Sequence, residues 1–186
     1  MSKVTTDMIR NIALIGHSGE GKTSLAEAML FNAKSIDRLG KVEDGNTTMD
    51  FDAEEINRKI SISLAVAYAN WKGNKINILD CPGFFDFEGE VVSALSVADS
   101  AIIVTSASGS LSVGTEKMLE MCTDRIRPSS LFLSSPTKAD GIKNDIPPKS
   151  CLFGKTNSIL FGYSLRNASC GTLVFSHFVS VFSCVS

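Results

Sequence analysis

Apolar residues in the first half of the chain fall into short runs separated by polar stretches, and the two textures alternate with the periods of strand and helix. Asn11 to Ile15 predicts a strand, Gly16 to Gly21 a loop, and Lys22 to about Ala33 an amphipathic helix. From Ser35 to Lys59 the residues are polar and acidic, with Gly40, Asp44-Gly45 and no steady period. That stretch predicts a long mobile connection of the kind that carries function. Leu64 to Trp71 and Asn74 to Leu79 flank the tight Lys72-Gly73 turn, which predicts an antiparallel hairpin. Glu88 to Ala98 places Val91, Leu95 and Ala98 at helical spacing. The continuous run Ala101-Ile102-Ile103-Val104 predicts a strand covered on both faces of its sheet. Thr115 to Asp124 predicts another helix, its Met118, Met121 and Cys122 stripe reading as core packing, and Leu131 to Leu133 one more parallel strand. The sum is an α/β fold: a mostly parallel sheet with helices on both faces.

Past Asp140 the texture changes. Serine becomes frequent, Pro147-Pro148 interrupts any regular element, and Thr172 to Val185 reads as one or two apolar strands without a recognisable site. Lys143, Lys149, Lys155 and Arg166 against Asp145 make this tail basic, although the whole chain carries a net charge of −2. No global basic field recruits nucleic acid or anionic lipid, so no direct sequence-specific nucleic-acid binding is expected. At 186 residues, with 44% apolar and 20% charged residues, the chain has ordinary globular usage. No run approaches the roughly 18 apolar residues of a membrane span, and the start lacks a secretory apolar segment, so a cytoplasmic address is expected. Five widely spaced cysteines without a CxxC pair point neither to a disulfide framework nor to a zinc site.

The chemistry concentrates in two loops. Gly16-His17-Ser18-Gly19-Glu20-Gly21-Lys22-Thr23 fits GxxxxGK[ST] and sits between a predicted strand and a predicted helix, where a P-loop must sit. Its glycines let the backbone wrap a phosphate chain, its amides and the helix N-terminus face the anion, and Lys22 adds a point charge. Thr23 is placed to ligate magnesium, Ser24 follows on the same turn, and His17 reads as a loop histidine positioned by the turn. The second loop, Asp80-Cys81-Pro82-Gly83, follows the strand ending at Leu79. Asp80 there can reach the same magnesium through water, and Gly83 can offer its amide to a terminal phosphate. Cys81 reads as a small buried filler.

These residues resemble the G domain of the translation factor GTPases, elongation factor G and its close paralogues above all. The resemblance runs from Asn11 to about Asp124. It covers the P-loop, the Asp44-Gly45 and Thr48-Met49-Asp50 stretches, Arg58-Lys59-Ile60-Ser61-Ile62 in place of the family's RGITI, and Asp80 to Gly83 continuing into Asp86-Phe87. It implies a P-loop NTPase fold, GTP and GDP as ligands, magnesium, and a role in protein biosynthesis with the ribosome as partner. It divides the chain into a GTP-binding domain over 1–140 and a tail without family likeness over 141–186, and implies that the G domain is incomplete at its C-terminal end. By the same resemblance Ser61 takes the place of the switch threonine that holds magnesium. Ribosomal protection and release-type translation GTPases share these motifs, and a non-catalytic guanine-nucleotide-binding fragment is a further alternative.

Three positions depart from the family pattern. Phe84 stands where the family places a histidine that orients the attacking water, and a phenyl ring neither donates nor accepts that hydrogen bond, so the implied GTPase activity is expected to be weak. Gly19 stands where elongation factor G has an acidic residue. Thr137-Lys138-Ala139-Asp140 resembles the guanine-reading NKxD with threonine for asparagine; as that motif, Asp140 would accept the base hydrogens and Lys138 would pack over the ring, and otherwise it is a polar turn after Pro136. From about Arg127 the serine-rich sequence reads as a shifted frame or a chimeric end.

Overall fold

The computed structural model describes residues 4–106, 113–125, 129–134 and 158–161. Among these residues six strands form one sheet in the order β2-β3-β1-β4-β5-β6. They are β1 (Ile9–Ile15), β2 (Ala65–Trp71), β3 (Asn74–Asp80), β4 (Ser100–Ser106), β5 (Ser129–Ser134) and β6 (Ser158–Phe161). β1 pairs parallel with both β3 and β4, β4 with β5, and β5 with β6; only the β2–β3 hairpin is antiparallel. Lys72 and Gly73 both take positive φ, 47° and 84°, the backbone twist that a two-residue hairpin turn requires.

Strand alternation sorts the apolar residues onto two faces. On one face Ile12 and Leu14, Ile76 and Ile78, and Ile102 and Val104 pack against Leu25, Ala26, Met29 and Leu30 of helix α1 (Lys22–Asn32). On the other, Ala13, Ile15, Leu79, Ala101 and Ile103 meet Val91, Ala94 and Leu95 of α3 (Glu88–Val97) and Met118 and Cys122 of α4 (Val113–Arg125). The sheet is therefore covered on both sides, which is why its central strands are continuously apolar. Both phosphate-type loops leave the sheet at one end, after β1 and after β3, the end where open parallel sheets hold their ligands.

Two elements differ from the sequence reading. The stretch Ser35 to Lys59, expected as a long mobile connection, contains a six-residue helix, α2 (Ala53–Arg58), closed at its start by a capping box of Asp52 and Glu55. The sheet also takes in β6, inside the stretch read as the tail. β6 is only four residues long, too short for a period to declare it. Thr137, Lys138, Asp140, Pro147-Pro148 and the apolar run Thr172 to Val185 lie outside the described residues.

Candidate phosphate site

The β1–α1 loop is shaped by glycine at two points. Gly16 has φ +146°, and a Cβ there would lie 2.1 Å from the Val104 carbonyl oxygen, so the loop crosses directly over the end of β4. Gly21 has φ 92° and opens α1 as its N-cap, with no side chain capping that helix. The first-turn amides of an uncapped helix form an anion-binding end, and Lys22, Thr23 and Ser24 supply that turn. Glu20 braces the loop: its carboxylate accepts from His17 N at 2.9 Å and from the Thr115 hydroxyl of α4 at 3.4 Å. His17 packs toward Gly114 of the same helix, while Gly19 is exposed at the rim.

Lys22 is only 5% exposed and donates to the His17 carbonyl at 2.9 Å. Burial lowers its pKa, and the nearby Asp80 carboxylate is the main influence pulling it back up. Gly83 comes up against this lysine from the other loop. A Cβ at Gly83 would stand 2.5 Å from both Lys22 Nζ and Ser18 N, a space only glycine leaves open. The Asp80-to-Gly83 turn and the P-loop thus meet across Lys22.

Asp80, at the end of β3, is 1% exposed, and neither carboxylate oxygen has a hydrogen-bond partner among the described residues. Burial pushes its pKa up to about 7, against the pull of the Lys22 ammonium. The Thr23 hydroxyl lies 3.1 Å from the Ser61 hydroxyl, which in turn donates to Asp50 at 2.7 Å. Two hydroxyls and an orphaned buried carboxylate are the oxygen donors a magnesium ion takes alongside phosphate oxygens and water. Among the described residues no group of three or more His, Cys, Asp or Glu forms a dedicated metal cage. The residues present fit a cation that arrives with phosphate.

Cys81 is fully buried in the apolar cluster under α3, and burial pushes its thiol far up. Pro82 is buried beside it, and Phe84 stands at the surface with 36% exposure. Phe85 lies next to Gly114 and under Lys117, whose ammonium is 5.3 Å from the ring centroid. The site therefore gathers Gly16 to Ser24, Ser61 and Asp80 to Gly83 into one place.

Sequence reading missed the carboxylates that hold the surrounding backbone. Buried Glu27 accepts from the amides of Gly40, Thr48 and Met49; Glu55 from those of Ile62 and Ser63; Glu90 from that of Leu64. Asp50, 5% exposed, accepts from Ser61 and Thr47, and burial raises its pKa. The one sequence signal was the Asp52-x-x-Glu55 spacing of a capping box.

A Gly-rich loop at the carboxyl end of β1, a helix N-terminus behind it and a second loop closing on its lysine define a P-loop nucleotide-binding domain. The chain belongs to the elongation factor Tu GTP binding domain family, which residues 7–147 match. It is similar to an elongation factor G-like protein of Mycobacterium tuberculosis, 39% identical over 126 residues, covering 68% of this chain and 18% of that protein. It is also similar to a mitochondrial ribosome-releasing factor 2 of Yarrowia lipolytica, 35% identical over 138 residues, or 74% of this chain and 17% of the relative. A crystal structure of a Thermus thermophilus protein superposes with a TM-score of 0.66 at 37% identity, over 68% of this chain and 19% of that one. The chain thus spans less than a fifth of the length of each. Among the described residues no helix is long and apolar enough to cross a membrane.

Proposed function

We propose that this chain binds GTP and GDP with magnesium and acts as the G domain of an elongation factor G-like translation factor, with the ribosome as its partner and the cytoplasm as its place of work. The observation that carries the reading is the meeting of Gly83 with Lys22 and Ser18 at the uncapped start of α1. A terminal phosphate entering there would contact both loops at once, so the position of the second loop depends on whether that phosphate is present. Backbone amides of Gly19 to Thr23 would take the phosphates, with Ser18 and His17 shaping the loop. Lys22 exchanges its bond to the His17 carbonyl for phosphate oxygens. Thr23, Ser61 and Asp80 would hold the magnesium, which when bound offsets phosphate charge. Thr137, Lys138 and Asp140 take the role of guanine reader, on the family likeness alone.

Phe84 favours a second reading, of nucleotide binding with little hydrolysis. Its ring is at the surface beside the site and has no group to orient a water. The test is a titration with fluorescent GDP and GTP, ATP as competitor and magnesium present, beside Lys22→Ala and Phe84→His. Guanine-selective binding lost in Lys22→Ala supports the proposal, and equal displacement by ATP overturns it. A rise in GTP turnover in Phe84→His, with binding unchanged, identifies position 84 as what limits hydrolysis.

A further inference from the structure

The segment between α1 and β2 is tied back to α1 at two places one helical turn apart. Thr23 meets it through the Ser61 hydroxyl at 3.1 Å. Glu27, four residues on and therefore on the same side of the helix, meets it through three backbone amides. One carboxylate oxygen accepts from Thr48 N and, at 3.2 Å, from Met49 N; the other accepts from Gly40 N at 3.2 Å. Glu27 is 0% exposed, so these amides are its solvent. A buried carboxylate compensated by several N–H donors is a strong, directional tie. The neighbouring Met49 side chain, 1% exposed, anchors the same point in the core beneath α1.

The next residue along the chain is Asp50, which accepts from Ser61 at 2.7 Å. The contacts form a closed circuit: Glu27 fixes residues 48 and 49, these place Asp50, Asp50 orients the Ser61 hydroxyl, and Ser61 meets Thr23 on the helix where the circuit began. Gly40 belongs to it for a steric reason. A Cβ there would lie 2.6 Å from the Glu27 carboxylate and 2.8 Å from the Asn46 carbonyl oxygen, so a side chain at position 40 pushes the tie apart.

From this geometry we infer that Glu27 is a positioning residue for the metal side of the phosphate site. Its carboxylate acts by holding the backbone that carries Asp50, so that the Ser61 hydroxyl already stands against Thr23 before nucleotide arrives. The role rests on the magnesium-nucleotide reading above. Glu27→Gln disables the tie whichever way the amide is turned, because an NH₂ group then faces backbone N–H donors.

The test has two readouts, applied to Glu27→Gln and independently to Gly40→Ala, which leaves the carboxylate in place should the buried substitution prevent folding. In the nucleotide-free protein, amide hydrogen exchange over residues 40–50 is expected to speed up by about tenfold or more in either variant, as a local opening loses its tie. The gain in GTP affinity on going from EDTA to magnesium is expected to fall by roughly 10-fold, the scale of losing a partner that orients a metal ligand, with affinity in EDTA within about twofold of the unsubstituted protein. Unchanged exchange overturns the inference. So does an equal loss of affinity with and without magnesium, the mark of a merely structural part. If the unsubstituted protein shows no magnesium-dependent nucleotide binding, the functional reading itself falls, a result distinguished by needing no variant.

Discussion

A carboxylate buried with no hydrogen-bond partner works against the fold that contains it, and Asp80, which has none among the described residues, is such a group. Burial raises its pKa from 3.8 to about 7, so the folded state holds a proton that the unfolded chain releases. Stability referred to the protonated form is therefore full below about 4, declines as pH rises towards 7, and stays reduced above it. In EDTA and without nucleotide, Asp80→Asn is expected to stabilise the protein at about pH 8 by on the order of 3 kcal/mol and to leave it nearly unchanged at about pH 4. Urea denaturation at the two pH values checks this, and an Asn variant no more stable at the higher pH counts against it. The cost is the kind a binding site carries until its cation arrives. The P-loop and Asp80 were legible in the sequence because their glycines and flanking apolar strands impose a fixed spacing. Glu27 and Glu90 were not, because their partners are backbone amides, which leave no mark on residue type, and Glu55 left only its capping-box spacing.

At the scale of elements, strands β1 to β5 and the three longer helices announced themselves by their residue pattern, and the hairpin by its Lys72-Gly73 turn. α2 did not, because six residues make less than two turns and bury a single side chain, Glu55. What builds α2 is its start: Asp52 accepts from Glu54 N at 2.9 Å, and Glu55 accepts from Asp52 N at 3.3 Å. Asp52→Ala is expected to cost about 1 kcal/mol, the usual worth of an N-cap. Glu55→Ala is expected to cost about 2 to 3 kcal/mol, because it also strands the Ile62 and Ser63 amides. Denaturation midpoints of the two variants give the comparison, and equal losses would mean that Glu55 acts only as a cap residue.

At the scale of the whole molecule, the described residues form a sheet between two apolar layers, with the phosphate site at the carboxyl end of β1 and β3, beside α1. Its architecture followed from the alternation of strands and helices in the sequence, as far as β5. Past that strand the sequence offers no comparable alternation, and β6 joins the sheet through backbone hydrogen bonds to β5 that no residue pattern announces. A ligand that binds only the folded state stabilises all of it at once. Guanine nucleotide at about a hundred times its dissociation constant, with magnesium, is expected to add about 2.7 kcal/mol and raise Tm by about 5 to 10 °C. Scanning calorimetry with GDP, and with ATP in parallel, checks this. An equal rise with ATP would remove guanine selectivity from the proposal.

The parked position of Lys22 has a kinetic side. Its ammonium is enclosed, bonded to the His17 carbonyl and set beside Asp80, so little of its field reaches the surrounding water. With a net charge of −2, the chain as a whole supplies no long-range pull on an anionic nucleotide. Encounter then rests on ordinary diffusion and on short-range capture by the loop. Added salt, which slows electrostatically steered partners, has no net attraction of the whole chain to screen. Such a site would load at a similar rate in dilute buffer and in the crowded ionic medium of a cell, with the lysine's charge released only after the phosphates are already inside.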